Sequence, residues 1–308
     1  MALTLVEAAK NEANLVRSAV IEMYARTNPV LRVLPFDDIA GNSITYAREH
    51  TLPGVGFRGV NESYTESTGI INPLTEVLKI AGGDVAVDRF ITGTMGPGKR
   101  ESQEMMKVKA LALRWGLAFI KGNSASEPRE FDGLQVRISG NQLIAAGASA
   151  GGDVLSLLKV DELIDAVDEP THLVMSKAMR RTISAAARDT TVGGFVTYGK
   201  DEFGVQLTMY NDLPILALDE DNSGNQILDF NEANPGGGSN VGTSIYCVSL
   251  MSEKLTGIQN GTIDVRDLGE TTASPQDVTR VEWYSGIAVW HGRAAARLHG
   301  IKAGAATK

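Results

Sequence analysis

The sequence predicts an α+β fold with many strands and few helices. Three observations carry this prediction. Apolar residues recur at helical spacing in one long segment, residues 100–121. Elsewhere, most apolar residues fall in alternating or continuous runs of strand length. Of the 308 residues, 43% are apolar and 21% are charged, which allows a large buried core and argues against a disordered chain.

Charge and cysteine content exclude several classes of protein. The 29 basic and 37 acidic residues give a net charge of −8, so the chain has no general attraction to nucleic acid or to an anionic membrane. Its apolar runs are far shorter than the roughly 20 residues that span a bilayer, and no apolar signal segment follows Met1. The one cysteine, Cys247, excludes an internal disulfide and is predicted to be a small buried apolar side chain. We expect synthesis in the cytoplasm and no membrane partner.

The N-terminal segment predicts a helix followed by an arm. Helical spacing of apolar residues covers residues 4–26, from Thr4 as N-cap to a stop at Asn28-Pro29. Residues 35–67 hold two alternating extended runs around a glycine-rich bend, with little that forms a core. Because a lone two-stranded hairpin is marginally stable in water, we expect an arm that docks on a neighbouring subunit. A disordered loop is the alternative.

The next segment predicts two strands and the longest helix. Strands are expected at 74–80 and 85–91, joined by a turn at 81–84 that contains two glycines. The helix is expected over 100–121 and ends at Gly122. Its apolar residues form a broad side and its charged residues a narrow stripe, so we expect it to rest on a sheet.

The second half of the chain predicts a compact mixed region. Helices are predicted at 154–167 and 176–187, on either side of a buried strand at 171–175. Further strands are predicted at 206–209, 213–218, 244–249, 261–265 and 278–291. Composition predicts a mobile loop at 235–242 and, after the last strand, an Ala- and Gly-rich tail at 292–308.

One stretch matches the spacing of a phosphate-binding loop. Residues Gly93 to Lys99 have this spacing and lie between a predicted strand and a predicted helix. The next residue is Arg100, which lacks the hydroxyl that would hold magnesium. An apolar strand that ends in acidic residues, 215–220, would complete a nucleotidase. The simpler interpretation is a tight turn that caps the long helix.

A second stretch, residues 147–151, matches the turn that presents a nucleophilic serine, here Ser149. By chain order, its partners would be His291 or His299 with Asp229 or Asp264. The parallel strand–helix–strand succession that such a hydrolase needs is not predicted between residues 190 and 290. The pattern is therefore a weak indication of a serine hydrolase.

A third stretch, residues 219–224, begins like a calcium loop, but position twelve is Phe230 where a bidentate Glu is needed. We interpret it as a surface turn. The four histidines show no metal-ligand spacing among themselves: His50, His172, His291 and His299. The sequence therefore predicts no catalytic residue, no metal site and no cofactor.

The order of elements resembles that of the major capsid proteins of tailed bacteriophages, which have the Hong Kong 97-like fold. The resemblance covers nearly the whole chain. It is carried by the arm without a core, by the long helix that leads into residues 119–134, and by a long C-terminal strand around Trp283. The amino-acid sequences of residues 210–215 and 290–293 are also similar to those of such proteins.

The resemblance implies a division into four parts. Residues 1–35 would be the N-arm and 36–72 the extended E-loop. Residues 73–140 plus 275–308 would be the P-domain with its spine helix, and 141–274 the A-domain. The charged residues of the arm would then supply inter-subunit contacts, namely Arg48, Glu49, Arg58, Glu62 and Glu66.

The resemblance also implies a function. The chain would be a structural protein, not an enzyme, and would assemble with copies of itself as pentamers and hexamers into the icosahedral head that encloses double-stranded DNA. Crosslinking relatives use an E-loop lysine, and no lysine lies between Lys10 and Lys79, so we expect a non-covalent shell. The same fold forms encapsulin compartments, which are the main alternative.

Partners follow from the same resemblance. The chain begins almost directly with its arm, so we expect a separate scaffolding protein. A portal and decoration proteins are further expected partners, and packaged DNA would be contacted only weakly because the wall is acidic. The expected location is the virion.

Overall fold

The computed structural model describes residues 3–4, 27–147, 152–188, 196–200, 206–237, 241–271 and 274–307. Its helices are α1 (Pro29–Val33), α2 (Arg89–Met95), α3 (Gly98–Lys121), α4 (Leu134–Arg137), α5 (Leu157–Asp165) and α6 (Lys177–Ala186). Its first strands are β1 (Leu3–Thr4), β2 (Pro35–Asp38), β3 (Ser43–Thr51), β4 (Ile70–Val77), β5 (Lys79–Asp88), β6 (Leu143–Ala145), β7 (Asp153–Ser156) and β8 (His172–Ser176). The remaining strands are β9 (Val196–Lys200), β10 (Gln206–Tyr210), β11 (Leu213–Leu218), β12 (Glu232–Ala233), β13 (Val241–Val248), β14 (Leu255–Gln259), β15 (Asp264–Glu270), β16 (Gln276–Val289) and β17 (Ala295–Thr307).

A six-stranded sheet carries the long helix α3. The strands follow the order β1-β2-β14-β16-β15, and β5 pairs with β16 along its opposite edge. Trp115 of α3 packs against Trp283 of β16, with ring centroids 6.0 Å apart. Phe36 of β2 lies 5.3 Å from the Trp283 ring. This aromatic cluster buries the apolar side of α3 that its sequence pattern predicts.

A nine-stranded sheet forms the second layer, with the order β6-β17-β13-β8-β11-β10-β9, while β12 pairs with β13 and β7 with β17. Helices α5 and α6 cover one face through buried residues such as Leu163 and Ile183. On the other face, Val174 and Tyr246 belong to the same core cluster as Trp115. The two sheets therefore share one continuous core.

The short helix α1 is held against helix α3. Asn28 caps α1, because its side-chain oxygen accepts the Val30 N–H at 3.0 Å. The amide nitrogen of Asn28 donates to the Ala112 carbonyl at 3.1 Å. Gly116 makes this approach possible, since a Cβ there would lie 2.4 Å from the Asn28 amide nitrogen. The predicted helix over 4–26 lies outside the described residues, apart from Thr4, which belongs to β1.

The structure corrects the predicted turn at residues 81–84. These residues lie inside the continuous strand β5, which pairs with β16 from Ser285↔Lys79 to Gln276↔Asp88. The glycines serve close packing rather than a turn, because a Cβ on Gly82 would lie 2.2 Å from the Val281 carbonyl oxygen. The second predicted strand also ends early, since residues 89–95 form helix α2.

The structure also corrects the predicted tail at residues 292–308. Most of it is β17, a central strand that pairs with β13 on one edge and with β6 and β7 on the other. Alanine and glycine have low strand propensity, but two-sided pairing and burial override it here. The predicted helix at 154–167 is β7 followed by α5, and strand β14 was not predicted.

Most of the other predicted elements agree with the structure, although the strand predicted at 261–265 is found as β15, which begins only at Asp264. Helices α3 and α6 and the strands β8, β10, β11 and β16 lie where the patterns indicate, within a few residues. The prediction of an α+β fold is confirmed. Sheet membership crosses the predicted part boundaries: β17 pairs within the nine-stranded sheet, whereas β14 and β15 pair with β16 in the six-stranded sheet.

Candidate functional site

The most exposed feature of the molecule is the arm, a hairpin of β3 and β4 paired from Ser43↔Val77 to Thr51↔Ile70. Its base is anchored on the six-stranded sheet. The Tyr46 hydroxyl donates to the Val289 carbonyl at 3.0 Å, and the Tyr46 and Trp290 rings lie 4.7 Å apart. Residues 52–69, which we call the arm tip, pair with no described strand.

An ion pair also fixes the arm base. Arg137 donates to Glu76 of β4 at 2.7 Å and to the Asp132 carbonyl at 2.6 Å. Burial lowers the pKa of Arg137, but the hydrogen bond and charge of Glu76 outweigh it, and the pKa is raised overall. A paired, half-buried cation of this kind holds the hairpin at one angle to the body.

The arm tip is apolar and exposed. Phe57 is fully exposed, Val55 is 96% exposed and Val60 is 91% exposed. Burying one such side chain gains roughly 1.5–3 kcal/mol, so leaving all of them in water forfeits several times that. Several large apolar side chains that are exposed within one short segment indicate an interaction site.

Polar contacts keep the arm tip in a defined shape. The Gly59 N–H donates to the Glu62 carboxylate at 2.8 Å, and Arg58 donates to the Glu62 carbonyl at 3.1 Å. The Arg58 guanidinium lies 5.2 Å from the centre of the Tyr64 ring. The Ser67 hydroxyl closes the loop by donating to the Gly54 carbonyl at 2.8 Å.

The five predicted interface residues fall in two places. Arg58, Glu62 and Glu66 lie on the exposed arm tip. Arg48 lies at the arm base, where it lines a recess of its own subunit. Glu49 is paired with Ile71 in the hairpin, and its side chain lies outside the described residues. Whether any of the five contacts another subunit stays a prediction.

The apolar residues of the arm tip were missed by the sequence analysis. They flank glycines in a stretch with no regular period, so neither a helix nor a strand pattern selects them. The available signal was composition: a segment without a core that still carries Val55, Phe57 and Val60.

A second exposed surface is the face of the six-stranded sheet turned away from α3. Ile80 is 70% exposed there and Tyr284, its partner across the β5–β16 pair, is 40% exposed. Next to them Arg280 binds both carboxylate oxygens of Asp84, at 2.7 and 2.9 Å. The Arg280 hydrogen bonds lower the pKa of Asp84. The face thus combines apolar side chains with neutralised charge.

The structure does not support a phosphate-binding loop at Gly93 to Lys99. Residues 93–95 are part of helix α2, which separates the glycines from strand β5, so no strand leads directly into them. Gly96 has φ +86° and Pro97 is the N-cap of α3, which makes this stretch a tight turn between two helices. Lys99 is exposed at the start of α3.

The other chemical motifs do not form a site. Ser149 lies outside the described residues. Asp221 accepts backbone N–H groups of Ser223 and Asn225 at 2.8 and 2.9 Å, so residues 219–224 form a self-capped surface turn. In the described ranges, no three His, Cys, Asp or Glu side chains converge as metal ligands. Cys247 is fully buried, and burial raises the pKa of its thiol to about 12.

The helices that the structure describes include none that is both long enough and apolar enough to cross a membrane.

Comparison with known proteins identifies the fold. No protein-family model and no curated protein matches this sequence. The SrpI encapsulin complex of Synechococcus elongatus PCC 7942 superposes with a TM-score of 0.65, at 15% identity, over 91% of this chain and 89% of that chain. The chain has the Hong Kong 97-like fold. The capsid of a native GTA particle and a structure of Mycobacterium phage Bobi each superpose on this Hong Kong 97-like chain with a TM-score of 0.59, at 14% identity, over 90% of this chain and 91% of theirs.

The Hong Kong 97-like fold accounts for two features that the sequence alone made puzzling. The long helix α3 rests along a sheet, and an extended hairpin leaves the body without a core of its own. The predicted fold is confirmed. The sequence identity to the matching structures is low, so the similarity was detected by superposing structures and not by comparing sequences.

Proposed function

We propose that this protein is the repeating subunit of a protein shell, a major capsid protein of a tailed bacteriophage. The exposed apolar arm tip on a Hong Kong 97-like fold is the observation that carries the proposal. A monomer gains nothing from holding Phe57 and Val55 in water on an extended arm. A second copy supplies the surface that would bury them.

The arm of one subunit rests on the six-stranded sheet of its neighbour. The sheet face around Ile80 and Tyr284 is apolar, and it is flanked by the neutralised pair Arg280 and Asp84. Burial of about 800 Å² on each partner is typical of a stable interface, and an extended arm reaches such an area without a large body contact. Arg58, Glu62 and Glu66 would set the register of this interface.

The parts of the fold take the roles that the resemblance implies. The six-stranded sheet with α3 acts as the P-domain, the nine-stranded sheet as the A-domain around the capsomer axis, the β3–β4 arm as the E-loop and residues 1–35 as the N-arm. Pentamers and hexamers of the subunit close an icosahedral head in the virion around double-stranded DNA. A separate scaffolding protein, a portal and decoration proteins are its further partners.

The shell works without catalysis and without covalent crosslinks. The arm lacks the lysine that crosslinking relatives use, since none lies between Lys10 and Lys79. An acidic wall of net charge −8 per subunit leaves packaged DNA free of strong contacts.

A second candidate function is an encapsulin-like compartment, made in a bacterial cytoplasm around a cargo protein. The superposition on the SrpI encapsulin favours it, because its TM-score of 0.65 exceeds the 0.59 of the GTA capsid. The contents of purified particles separate the two candidates. Nucleic acid inside supports the capsid, and a co-purifying enzyme supports the compartment.

Negative-stain electron microscopy tests the proposal. We expect closed shells, or rings of five and six subunits, from the protein alone or with its scaffold. Phe57→Asp should abolish them and leave the folded subunit intact, whereas the matched variant Phe57→Leu should assemble. Monomers under all conditions, or normal shells from Phe57→Asp, would contradict the proposal.

A further inference from the structure

A groove lies between helix α3 and the free edge of strand β5. Strand β5 pairs with β16 along one edge only, and no other described strand pairs with it. The groove has a volume of about 370 Å³, and its floor includes Trp115 of α3 and Val281 of β16. An unpaired edge of ten residues that opens onto an apolar groove is a template for an added strand.

The opposite edge of the same sheet is protected. Strand β15 has a β-bulge between Asp267 and Gly269, and its exposed residues include Arg266 and Glu270. Charged side chains and bulges are the usual means of preventing edge pairing. Strand β5 has no bulge and no charge between Lys79 and Asp84. The two edges therefore differ in their capacity to accept a strand.

The groove is also basic, although the chain as a whole is acidic. Apart from the paired Arg114 and Glu130, its charged lining residues are three basic side chains, Lys79, Lys107 and Arg129, and one acidic side chain, Glu127, so the groove keeps a net positive charge. The Lys107 ammonium lies directly over the strand, 2.7 Å from where a Gly83 Cβ would be. Arg114 is neutralised by Glu130. Among the described residues, neither Lys107 nor Arg129 forms an ion pair.

The returning segment of the arm tip, residues 62–66, has the complementary pattern. Along residues 62–66, Glu62, Tyr64 and Glu66 share one face of an extended chain, because side chains alternate with period two. Tyr64 is 67% exposed. No backbone hydrogen bond is made by residues 63–66 in the described structure. This segment offers an acid–aromatic–acid face and an unpaired backbone edge.

We propose that residues 62–66 of one subunit add as a β-strand to the free edge of β5 in a second copy. This inference rests on the proposed function and names the contact by which the arm docks. The Tyr64 ring enters the apolar part of the groove, and the carboxylates of Glu62 and Glu66 face Lys79, Lys107 and Arg129. The remaining apolar residues of the tip then cover the adjoining sheet face around Ile80.

Zero-length carbodiimide crosslinking tests this contact directly, because it joins only a carboxylate and an amine that touch. Shells assembled from a mixture of ¹⁴N and ¹⁵N subunits would be crosslinked, digested and analysed by mass spectrometry. We expect mixed-isotope peptides that join Glu62 or Glu66 to Lys107 or Lys79. Lys109 is exposed on the same helix but does not line the groove, and it should give none.

Charge reversal provides a second test with a matched control. Lys107→Glu should raise the concentration needed for assembly by about tenfold or more, because like charges would face each other in the contact. Lys109→Glu should leave assembly unchanged. Combining Lys107→Glu with Glu66→Lys should restore assembly, which a merely misfolded variant would not do.

The outcomes separate this inference from the function it rests on. Wild-type shells that form normally, lack arm-to-groove crosslinks and tolerate Lys107→Glu would overturn the strand addition and leave the shell proposal standing. A wild-type protein that never assembles would overturn both. Crosslinks together with charge-swap rescue would establish the contact.

Discussion

Two buried charges meet at the junction between strands of the nine-stranded sheet. Arg297 of β17 and Glu232 of β12 are each only 3% exposed, with their side-chain atoms 3.2 Å apart. Ser244 bridges them, because its hydroxyl donates to Glu232 at 2.5 Å and accepts from Arg297 at 3.0 Å. Lys121 at the end of α3 approaches Glu232 at 3.7 Å. The network ties the long helix to the second sheet.

Removing one member of this network should be costly. Arg297→Leu removes the hydrogen-bonded cation of the buried Glu232 carboxylate and leaves it only the more distant Lys121 ammonium, so we expect it to lower the free energy of unfolding by about 3–5 kcal/mol. Chemical denaturation measures this. The exposed counterpart Arg266→Leu, which breaks surface pairs with Asp264 and Glu282, should cost no more than about 1 kcal/mol. Equal effects of the two variants would refute the argument.

A neighbouring histidine should make stability depend on pH. Burial, aided by the charge of Arg297, lowers the pKa of His299, and no described group hydrogen-bonds to its Nδ1. The unfolded chain therefore binds the proton more readily, so stability is complete above about pH 6.5 and falls as the pH drops below it. We expect the wild type to lose more unfolding free energy than His299→Gln between about pH 7.5 and about pH 5.5. Parallel pH profiles would contradict this.

At the scale of elements, strand β5 shows why a glycine pair is an ambiguous signal. Gly82 and Gly83 predict a turn from sequence, yet here they let two backbones and the Lys107 side chain approach closely. The same absence of a Cβ serves both purposes, and only the partner strand decides between them. Local sequence patterns could not show that β16 pairs with β5 at these glycines.

The close approach at Gly82 can be tested by adding one methyl group. A Cβ there meets the Val281 carbonyl oxygen at 2.2 Å, so Gly82→Ala should destabilise the subunit by about 1–3 kcal/mol in denaturant unfolding. Gly93 lies in helix α2, and a Cβ added there would meet no atom of a neighbouring group within 4 Å. Gly93→Ala should therefore be neutral or stabilising by up to about 1 kcal/mol. The reverse order of these two variants would refute the packing argument.

Strongly periodic elements were the ones that sequence analysis located well. Helix α3 and strand β16 have long apolar patterns, and the structure places both as expected. Strand β17 is rich in alanine and glycine, so its burial depends on neighbours far away in the chain. For that reason, local sequence patterns could not predict that β17 lies at the centre of a sheet.

At the scale of the whole molecule, the polar part of the arm tip should control assembly rather than folding. Arg58 is exposed, and within the part of the chain that the structure describes its side-chain interactions are with two other tip residues, Glu62 and Tyr64. We expect Arg58→Glu to reduce shell formation seen by electron microscopy while leaving the unfolding free energy within about 0.5 kcal/mol of the wild type. Arg58→Lys serves as the matched control. Normal shells from Arg58→Glu would exclude this role.

The same particles can be used to test whether the subunits are covalently linked. Because the arm contains no lysine, shells boiled in detergent should run as single subunits of 32.8 kDa on a denaturing gel. Ladders of higher mass that survive boiling under reducing conditions would show covalent linkage. Such ladders would contradict the non-covalent proposal.

The candidate site was predicted only in outline. The sequence indicated an arm that needs a neighbour, because residues 35–67 hold too little apolar pattern for a core. It directed attention to charges such as Arg48, which the structure places against its own subunit. The exposed Phe57 and the free edge of β5 depend on which groups remain uncovered after folding, and that is a property of the complete chain.

The arm and the body are joined by an almost unbroken extended run, since β4 ends at Val77 and β5 begins at Lys79. A pull on the arm is therefore transmitted to β5 and to its ten-residue ladder with β16. Hydrogen bonds loaded in shear share the force and must fail together, whereas a strand peeled from its end loses them one by one. In a closed shell, the β5–β16 ladder would therefore resist tension that reaches it along the strand.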